Sequence, residues 1–260
     1  LAFHGLKQLN QNPNIGLKAI IDICGLNGRE LSMSDIVFKI GPRINASGRM
    51  ESGKESVDLL IEKDYNCALQ KAKHIDEYNE QRKDIDKQMT EEANQIVAKI
   101  ESQKHYSSIV LYDENWKKGV IGIVASRLTE LYFRPTVVLT RDGEFGTGSA
   151  RSVTGFDVYA AIKSCRDLLM NFGGHTYAAG LTLRWADIPL FIKRFQQYVE
   201  DHIAPEQTEA TLHLDAQLDF KDITKKLYND LKRFAPFGPG CSKPLFFTQA
   251  VYDYGTSKVV

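Results

Sequence analysis

The chain has 260 residues, of which 43% are apolar and 25% are charged, and its 33 Lys and Arg residues balance 33 Asp and Glu residues. This length and composition indicate a globular protein of two or three compact units, and no apolar run of about 18 residues occurs that could span a bilayer. The balanced net charge excludes any argument for nucleic-acid binding from overall charge, so that function has to rest on local clusters.

Residues 1–50 are predicted to form short helices joined by loops. Apolar residues recur at helical spacing from Leu6 to Ile23, before Gly25 ends the pattern. The string GPRINASGRM, from Gly41 to Met50, is too polar and too interrupted by glycine for a core element, and we expect a loop. With so little core of its own, this segment should complete a domain whose larger part lies upstream.

One long helix is predicted from Asp64 to Ile100, where neither Gly nor Pro occurs and apolar residues recur at spacings of three and four. At 1.5 Å per residue it would extend roughly 55 Å, which is long enough to bridge two lobes. A helix within a bundle is the alternative. We expect exposed charge along its middle, and a polar or substrate-side contact from Arg82, which occupies a missing apolar position.

The same helix contains Asp84-Ile85-Asp86, which resembles a D-x-D metal motif. Residues two apart on a helix lie roughly 200° around the axis, so these carboxylates cannot chelate one ion, and we expect both to be solvated. Asp201-His202 ends another predicted helix beside a linker, and we expect solvated side chains there too.

After residue 104 the pattern changes to alternating strands and helices, which predicts a complete small α/β domain over residues 105–202. A polar connector, a further alternating stretch, a helix and a strand then begin a third unit over residues 205–260. The predicted elements are strands at Ser108–Tyr112, Thr136–Thr140, Leu181–Leu183, Thr211–Leu218 and Leu245–Val251, and helices at Val120–Leu131, Val158–Met170, Ile188–Val199 and Ile223–Phe234.

The string GSARS, from Gly148 to Ser152, lies between a predicted strand and a predicted helix. Ser149 and Arg151 are two residues apart, so on an extended strand both side chains point to the same face. A hydroxyl, a guanidinium and backbone N–H groups could then converge on a phosphate. An ordinary surface hairpin is the alternative.

The string FGGHTYAAG, from Phe172 to Gly180, places Gly173 and Gly174 next to His175 in a predicted turn. Two glycines let a ligand approach the backbone closely while the imidazole donates a hydrogen bond. A turn histidine bonded to a local carbonyl is the alternative. Metal ligation by His175 is not expected, because no second His or carboxylate stands at ligand spacing from it.

A third candidate is GPRINASGRM itself, which combines Arg43, Asn45 and Arg49 with small residues. The segment from Lys39 to Lys54 has four basic residues and one acidic residue, a local excess of three positive charges. Such a loop could present guanidinium groups to a phosphate backbone. A solvated interdomain loop is the alternative.

The cysteines and the first residues bear on the cellular compartment. No signal peptide is visible behind Leu1. The cysteines lie tens of residues apart, which matches neither a CxxC metal site nor a dense disulfide framework, so we expect reduced thiols, no membrane insertion and a cytoplasmic location. They are Cys24, Cys67, Cys165 and Cys241.

Taken together, the motifs resemble, in the same order and over nearly the whole chain, those of the RecJ family of the DHH phosphoesterase superfamily. The matching strings are GPRINASGRM, NEQR (Asn79 to Arg82), GVIGIVASRL (Gly119 to Leu128), GSARS, FGGHTYAAG and APFGPG (Ala235 to Gly240). The sequence departs from the family at Lys117, where the family usually has His after Trp116, and at Cys241-Ser242, where it has a GNP-like continuation.

The resemblance implies an α/β fold with four parts. Residues 1–50 would end a DHH domain, 51–104 would form connecting helices, 105–202 would form the DHH-associated domain with a mixed sheet, and 205–260 would start an OB-like β domain. It also implies a single-strand-specific 5′→3′ DNA exonuclease of DNA repair and recombination. Its partner would be single-stranded DNA with a 5′ end, with a single-strand-binding protein or a helicase as a further candidate.

The resemblance also assigns roles. Two Mn²⁺ or Mg²⁺ ions would be held by D-x-D, DHH and a further Asp motif upstream of the segment that resembles residues 1–50, so the chain alone should be inactive. Ser149 and Arg151 would bind the 5′ phosphate, and Asn45 and Arg49 would face the scissile phosphate. The substrate backbone would contact Gly173, Gly174 and His175.

Two other functions remain open at this stage. One is a DHH-family phosphodiesterase for short oligonucleotides or cyclic dinucleotides, since such relatives share the GGH type of motif. The other is a non-catalytic nucleic-acid or protein-binding module. The unit after residue 205 favours the exonuclease, because a long single strand needs stacking platforms and a basic groove.

Overall fold

The computed structural model describes residues 1–103, 106–238, 240–252 and 255. The predicted boundary at residues 104 and 105 lies outside the described residues, as do Pro239 of the APFGPG motif and residues 256–260 of the predicted OB-like unit. Within the described ranges, no helix is both long enough and apolar enough to cross a membrane.

Residues 1–60 form short helices, which the sequence predicts for residues 1–50. The helices are α1 (Ala2–Gln11), α2 (Ile15–Ile23), α3 (Met33–Asp35), a π-helical turn (Ile36–Ile40), α4 (Gly41–Met50) and α5 (Lys54–Leu60). They surround an apolar core to which Ile20, Leu26 and Leu59 contribute. We call this part, with the beginning of the next helix, the N-terminal lobe.

The loop predicted for GPRINASGRM is wrong, because this segment is the helix α4. Ala46 and Ser47 are fully buried, and the hydroxyl oxygens of Ser47 and Ser56 lie 2.7 Å apart. Pro42 lies in the first turn of α4, directly after the π-helical turn. Small side chains let α4 pack closely against α5 and the next helix, and this packing outweighs the low helix propensity of Gly and Ser.

The long helix is confirmed as α6 (Tyr65–Glu101), a continuous element of 37 residues. It begins at Asp64, whose carboxylate accepts a hydrogen bond from the backbone N–H of Cys67 at 2.9 Å. Ala68, Ala72 and Ile75 pack in the core of the N-terminal lobe. Met89, Ala93 and Val97 pack in a different core, so α6 joins two lobes.

The exposed charge predicted along the middle of α6 is confirmed at Lys83 and Lys87, but two polar side chains in the same stretch are buried. Asn79 and Asp86 are 0% and 1% exposed. Asp86 faces the following helix and accepts a hydrogen bond from Arg127, whereas Asp84 is solvated as expected. The polar contact expected of Arg82 is confirmed, since its Nη2 donates to Asn79 Oδ1 at 3.1 Å.

The second lobe, which we call the sheet lobe, contains a five-stranded mixed sheet with strand order β1-β2-β3-β5-β4. β1 and β2 are parallel and the other neighbours are antiparallel. Its elements are β1 (Ile109–Asp113), α7 (Ile121–Tyr132), β2 (Thr136–Asp142), β3 (Phe145–Arg151), α8 (Val158–Ser164), β4 (Leu169–His175), β5 (Ala178–Arg184) and α9 (Ile188–His202).

The two faces of this sheet are covered differently. α8 and α9 pack on one face against alternate residues such as Leu139, Ala150 and Leu181. α6 and α7 pack on the other face, where Val138 joins their core. α7 contacts β2 and β3, and Gly180 of β5 and Gly173 of β4 remain exposed.

Two predictions in this lobe need correction. The helix predicted over Val158–Met170 ends at Ser164, and Leu169 begins β4, because pairing with β5 overrides the apolar helical spacing. The turn predicted for FGGHTYAAG is a hairpin, in which Gly173, Gly174 and His175 belong to β4. Its turn consists of Thr176 and Tyr177.

The third unit contains shorter elements than the sequence pattern predicts. β6 (Ala216–Gln217) and β7 (Phe246–Phe247) pair in parallel, and α10 (Lys225–Lys232) lies between them in the chain. The stretches predicted over Thr211–Leu218, Ile223–Phe234 and Leu245–Val251 each contain one of these elements.

The backbones of the two lobes approach closely between the end of α4 and the segment just before α7. A β-carbon added to Gly119 would stand 1.9 Å from the carbonyl oxygen of Arg49. In return, Arg49 Nη1 donates to the carbonyl oxygen of Gly119 at 3.2 Å. Only glycine permits this approach, which places Arg49 at the lobe junction.

We predict that Gly119→Ala lowers the free energy of unfolding by about 1–3 kcal/mol, the usual range for overpacking, because the lobes must separate to admit the methyl group. Urea unfolding followed by circular dichroism measures this change. Gly5→Ala is the matched control, since no atom lies within 4 Å of its added β-carbon and α1 should gain slightly from alanine. Equal stability of the two variants would contradict the prediction.

Candidate functional site

Ser149 and Arg151 share one face of β3, as their spacing predicts. Arg151 Nη1 donates to Ser149 Oγ at 2.9 Å, and Arg151 Nε donates to Ser126 Oγ of α7 at 3.1 Å. A β-carbon at Gly122 of α7 would stand 3.0 Å from both Arg151 Nη2 and Ser149 Oγ. The glycine therefore gives the guanidinium room to lie against the first turn of α7.

Arg49 brings positive charge from the N-terminal lobe to the same place. Burial lowers the pKa of Arg151, and the nearby charge of Arg49 lowers this pKa further. Burial also lowers the pKa of Arg82. The negative charge of Asp86 raises this pKa, whereas the positive charges of Arg49 and Arg127 lower it further. Because arginine stays protonated in proteins, Arg82 and Arg151 remain cationic although burial and neighbouring positive charges disfavour their charge.

These side chains form a group that we call the guanidinium cluster, which consists of Arg49 on α4, Arg82 on α6, Arg127 on α7 and Arg151 on β3. It lies at the lobe junction, beside the buried carboxylate of Asp86, and its four guanidinium groups outnumber the carboxylates that act on them. Such a cluster is suited to bind a polyanion such as a phosphate chain.

A nearly side-chain-free strip of sheet adjoins the cluster. In register across β3, β5 and β4, Ser149 is opposite Gly180, which is opposite Gly173. Both glycines are exposed, and no atom comes within 3.9 Å of a β-carbon added to either. We call Gly173 and Gly180 the glycine floor, since a ligand lying there would contact backbone directly.

Packing requires glycine at only one of the two glycine positions of the GGH string. Gly174 has φ of +150°, and its added β-carbon would stand 2.4 Å from the carbonyl oxygen of Ala178. Packing therefore requires glycine at Gly174. At Gly173 the fold leaves open space, so internal packing does not explain that glycine.

His175 lies in the neighbouring row on the same face, with Ala178 between it and Arg151. Two strand spacings separate the two backbones, roughly 10 Å. The guanidinium of Arg151 turns toward α7, away from β4. The imidazole and the guanidinium are therefore placed for neighbouring groups of an extended ligand.

The structure separates the candidate residues of α4. Arg49 reaches the lobe junction, and Asn45, one helical turn earlier, is exposed on the same side of the helix. Arg43 instead forms an ion pair with Asp76 of α6, with Nε and Oδ1 2.8 Å apart. It is engaged within the N-terminal lobe, so the structure does not bring it into the cluster.

The sequence analysis expected a polar or substrate-side contact from Arg82 but missed three other residues of the site: Asp86, Ser126 and Arg127. Arg82 interrupts the apolar repeat of α6, and Ser126 stands one helical turn after Gly122, so these two positions carried a usable signal. Asp86 and Arg127 lie in strings noted in the sequence, but their pairing depends on how α6 and α7 pack, which the sequence does not show.

In the part of the chain that the structure describes, no group of three or more His, Cys, Asp or Glu side chains could hold a metal ion. The divalent ions implied by the family resemblance therefore do not fit these residues. At the departure from the family motif, Trp116 is buried with its Nε1 donating to Glu92 at 2.9 Å, and Lys117 is exposed.

Two domain models match the chain: the DHHA1 domain over residues 89–201 and the RecJ OB domain over residues 214–259. The single-stranded-DNA-specific exonuclease RecJ of Bacillus subtilis is 34% identical over 246 residues, which is 94% of this chain and 31% of that protein. The protein of the same name from Haemophilus influenzae is 32% identical, over 95% of this chain and 44% of its own length.

Solved structures agree with these matches. The crystal structure of RecJ from Thermus thermophilus in complex with Mg²⁺ has a TM-score of 0.82 and 27% identity, over 93% of this chain and 37% of that chain. The Mn²⁺ complex from the same source has a TM-score of 0.81 and 28% identity, over 94% of this chain and 35% of that chain.

The sheet lobe is thus a DHHA1 domain of the DHH superfamily, followed by an OB domain. The chain belongs to the RecJ family and corresponds to the C-terminal part of its catalytic core. The chain spans less than half the length of these curated relatives.

We predict that Gly173→Ala leaves the free energy of unfolding within about 0.5 kcal/mol of wild type, as for ordinary surface changes, but weakens binding of single-stranded DNA. The added methyl group meets only a ligand, since the fold leaves its place open. Thermal unfolding and fluorescence anisotropy with a labelled oligonucleotide measure the two effects.

Gly174→Ala is the matched comparison, one residue along β4. Its methyl group would collide with Ala178 and Ala179, so it should lower stability clearly. Unchanged DNA binding by a folded Gly173→Ala protein would refute a ligand on the glycine floor.

Proposed function

We propose that this chain is the substrate-holding part of a single-strand-specific 5′→3′ DNA exonuclease that acts in DNA repair and recombination in the cytoplasm. The observation that carries the proposal is the guanidinium cluster beside the glycine floor. Together they offer a site of concentrated positive charge next to a surface on which an extended strand can lie.

In this proposal Ser149 and Arg151 bind the 5′ phosphate, and Arg49 adds its charge from the N-terminal lobe. A terminal phosphate carries more negative charge than an internal diester, so a site with several guanidiniums favours ends over interior positions. The half-buried position of Arg151 strengthens this preference, because the attraction between charges grows as water is excluded.

The rest of the strand follows the glycine floor toward His175, whose imidazole is placed to donate a hydrogen bond to a second phosphate. Asn45 and Arg49 face the scissile phosphate from α4 in this arrangement. Gly173 contacts the strand directly, whereas Gly174 serves the packing of β4 on β5. Arg43 supports α4 through its ion pair with Asp76.

Hydrolysis itself would use two Mn²⁺ or Mg²⁺ ions, which are held by residues outside these 260. The related crystal structures in complex with Mg²⁺ and Mn²⁺ support this assignment. The chain's own contribution is to bind and orient the strand. A single-strand-binding protein or a helicase that supplies such a strand is a candidate partner.

A phosphodiesterase for short oligonucleotides or cyclic dinucleotides is the second candidate function, and a non-catalytic binding module is the third. The match to the RecJ OB domain over residues 214–259 does not favour either one. An OB domain adds a surface for a longer strand, which a dinucleotide substrate would not use.

Arg151→Ala in the intact natural protein should weaken the interaction with a 5′-phosphorylated strand by about 1.5–3 kcal/mol, the range for hydrogen bonds to charged groups. The loss should be smaller for a 5′-hydroxyl strand of the same sequence, because that strand lacks the terminal phosphate. Arg184→Ala is the control, since Arg184 is exposed on β5 and pairs with Asp187. Equal losses on both strands would sink the assignment of a 5′-end site.

The 260-residue chain alone should not release nucleotides from a 5′-labelled single strand in the presence of Mn²⁺ or Mg²⁺, because its described residues offer no metal-ligand cluster. Gel analysis of the labelled products tests this, with the intact natural protein as the positive control. Metal-dependent release by the chain, absent from an identically purified Arg151→Ala preparation, would overturn the expectation.

A further inference from the structure

Asp86 is a charged residue in the interior of the lobe junction, and its burial needs an explanation. Its side chain is 2% exposed. A buried carboxylate is costly unless it is paired, and a well-packed apolar residue would often serve stability as well. Asp84, two residues earlier on the same helix, has an exposed carboxylate. The two residues therefore differ in their surroundings and not in their chemistry.

Asp86 holds two guanidinium groups in different ways. Arg127 Nη2 donates to Asp86 Oδ2 at 2.8 Å, a direct hydrogen bond between α7 and α6. Arg82 Nη1 lies 3.7 Å from the same oxygen, which is an ion pair too long for a good hydrogen bond. Asp86 therefore attracts Arg82 without occupying its donors.

Arg82 keeps hydrogen-bonding capacity as a result. Its Nη2 donates to Asn79 Oδ1 at 3.1 Å, but its Nε is buried and has no hydrogen-bond partner among the described residues. A buried N–H without a partner is unfavourable, so a ligand oxygen that reached it would gain a strong, charge-assisted bond.

The positive charges of Arg49 on α4 and Arg127 on α7 repel that of Arg82. The carboxylate of Asp86 lies next to both Arg82 and Arg127 and offsets their mutual repulsion. Without it, the hydrogen bond to Asn79 would be the remaining polar contact described for the Arg82 side chain at the junction. Its location at the junction thus depends on Asp86.

We infer that Asp86 is a positioning residue, which fixes Arg82 within the guanidinium cluster so that its positive charge adds to that of Arg49 at the proposed 5′-end site. The inference rests on the proposed function, since it names how the proposed 5′-end site is held in place. Asp86 itself does not touch the substrate.

The test is equilibrium binding by the intact natural protein, with divalent ions removed by a chelator so that no hydrolysis occurs. The probes are two oligo-dT strands of equal length, one 5′-phosphorylated and one 5′-hydroxyl, at fixed salt. Asp86→Asn should lower the ratio of the two affinities about three- to tenfold, a part of the effect of losing a hydrogen bond to a charged group. Asp84→Asn, on the exposed side of the same helix, should leave the ratio unchanged.

The affinity for the 5′-hydroxyl strand distinguishes the loss of a positioning contact from general damage to the structure. Asp86→Asn removes a negative charge, so the general attraction for DNA should stay equal or rise while the preference for the phosphorylated end falls. General damage to the structure would instead lower both affinities. In an Arg82→Gln background, Asp86→Asn should change the ratio no further, because Asp86 acts through Arg82.

A double variant covers the case in which Asp86→Asn does not fold. Asp86→Asn with Arg127→Gln removes the buried carboxylate together with the charge of its direct partner, whose side chain is 55% exposed, and should lower the ratio similarly. A folded variant with the wild-type ratio overturns the role of Asp86 alone. A wild-type protein that binds neither strand, or binds both equally, overturns the proposed 5′-end site and this inference together.

Discussion

The close approach of Gly119 to the main chain of Arg49 is the constraint on which the site depends. It joins the end of α4 to the start of α7 at a distance that only a glycine permits, and the Arg49 guanidinium returns a hydrogen bond to the same residue. Arg49 comes from the N-terminal lobe and Arg151 from the sheet lobe. Their charges can act on one ligand only because this contact brings the lobes together.

The arginines at the lobe junction repel one another, and a carboxylate on the long helix α6 offsets part of this repulsion. Burial and neighbouring arginines disfavour the charge of Arg82, and the buried carboxylate of Asp86 opposes both. A bound phosphate would relieve the remaining repulsion. The cluster is therefore stable enough to form without ligand, yet keeps the excess charge that makes an anion the favoured occupant.

Glycines in the sheet lobe serve two separate ends. At Gly174 a β-carbon would collide with the backbone of β5, and at Gly122 it would crowd the side chains of Ser149 and Arg151, so these positions follow from packing. At Gly173 and Gly180 a β-carbon would meet almost nothing, and both residues face outward on the side of the sheet that carries Ser149 and Arg151. Open space beside a charged cluster is the arrangement that a flexible strand requires.

The sequence by itself determined the features that depend on local periodicity. The unbroken helical spacing determined α6, and the spacing of two placed Ser149 and Arg151 on one face of β3. Only the tertiary structure decided that GPRINASGRM is a packed helix and that Asp86 is buried, because long-range contacts outweigh local propensity there. It also decided that Gly173 lies in an edge strand beside the cluster, since strand pairing joins residues far apart in the chain.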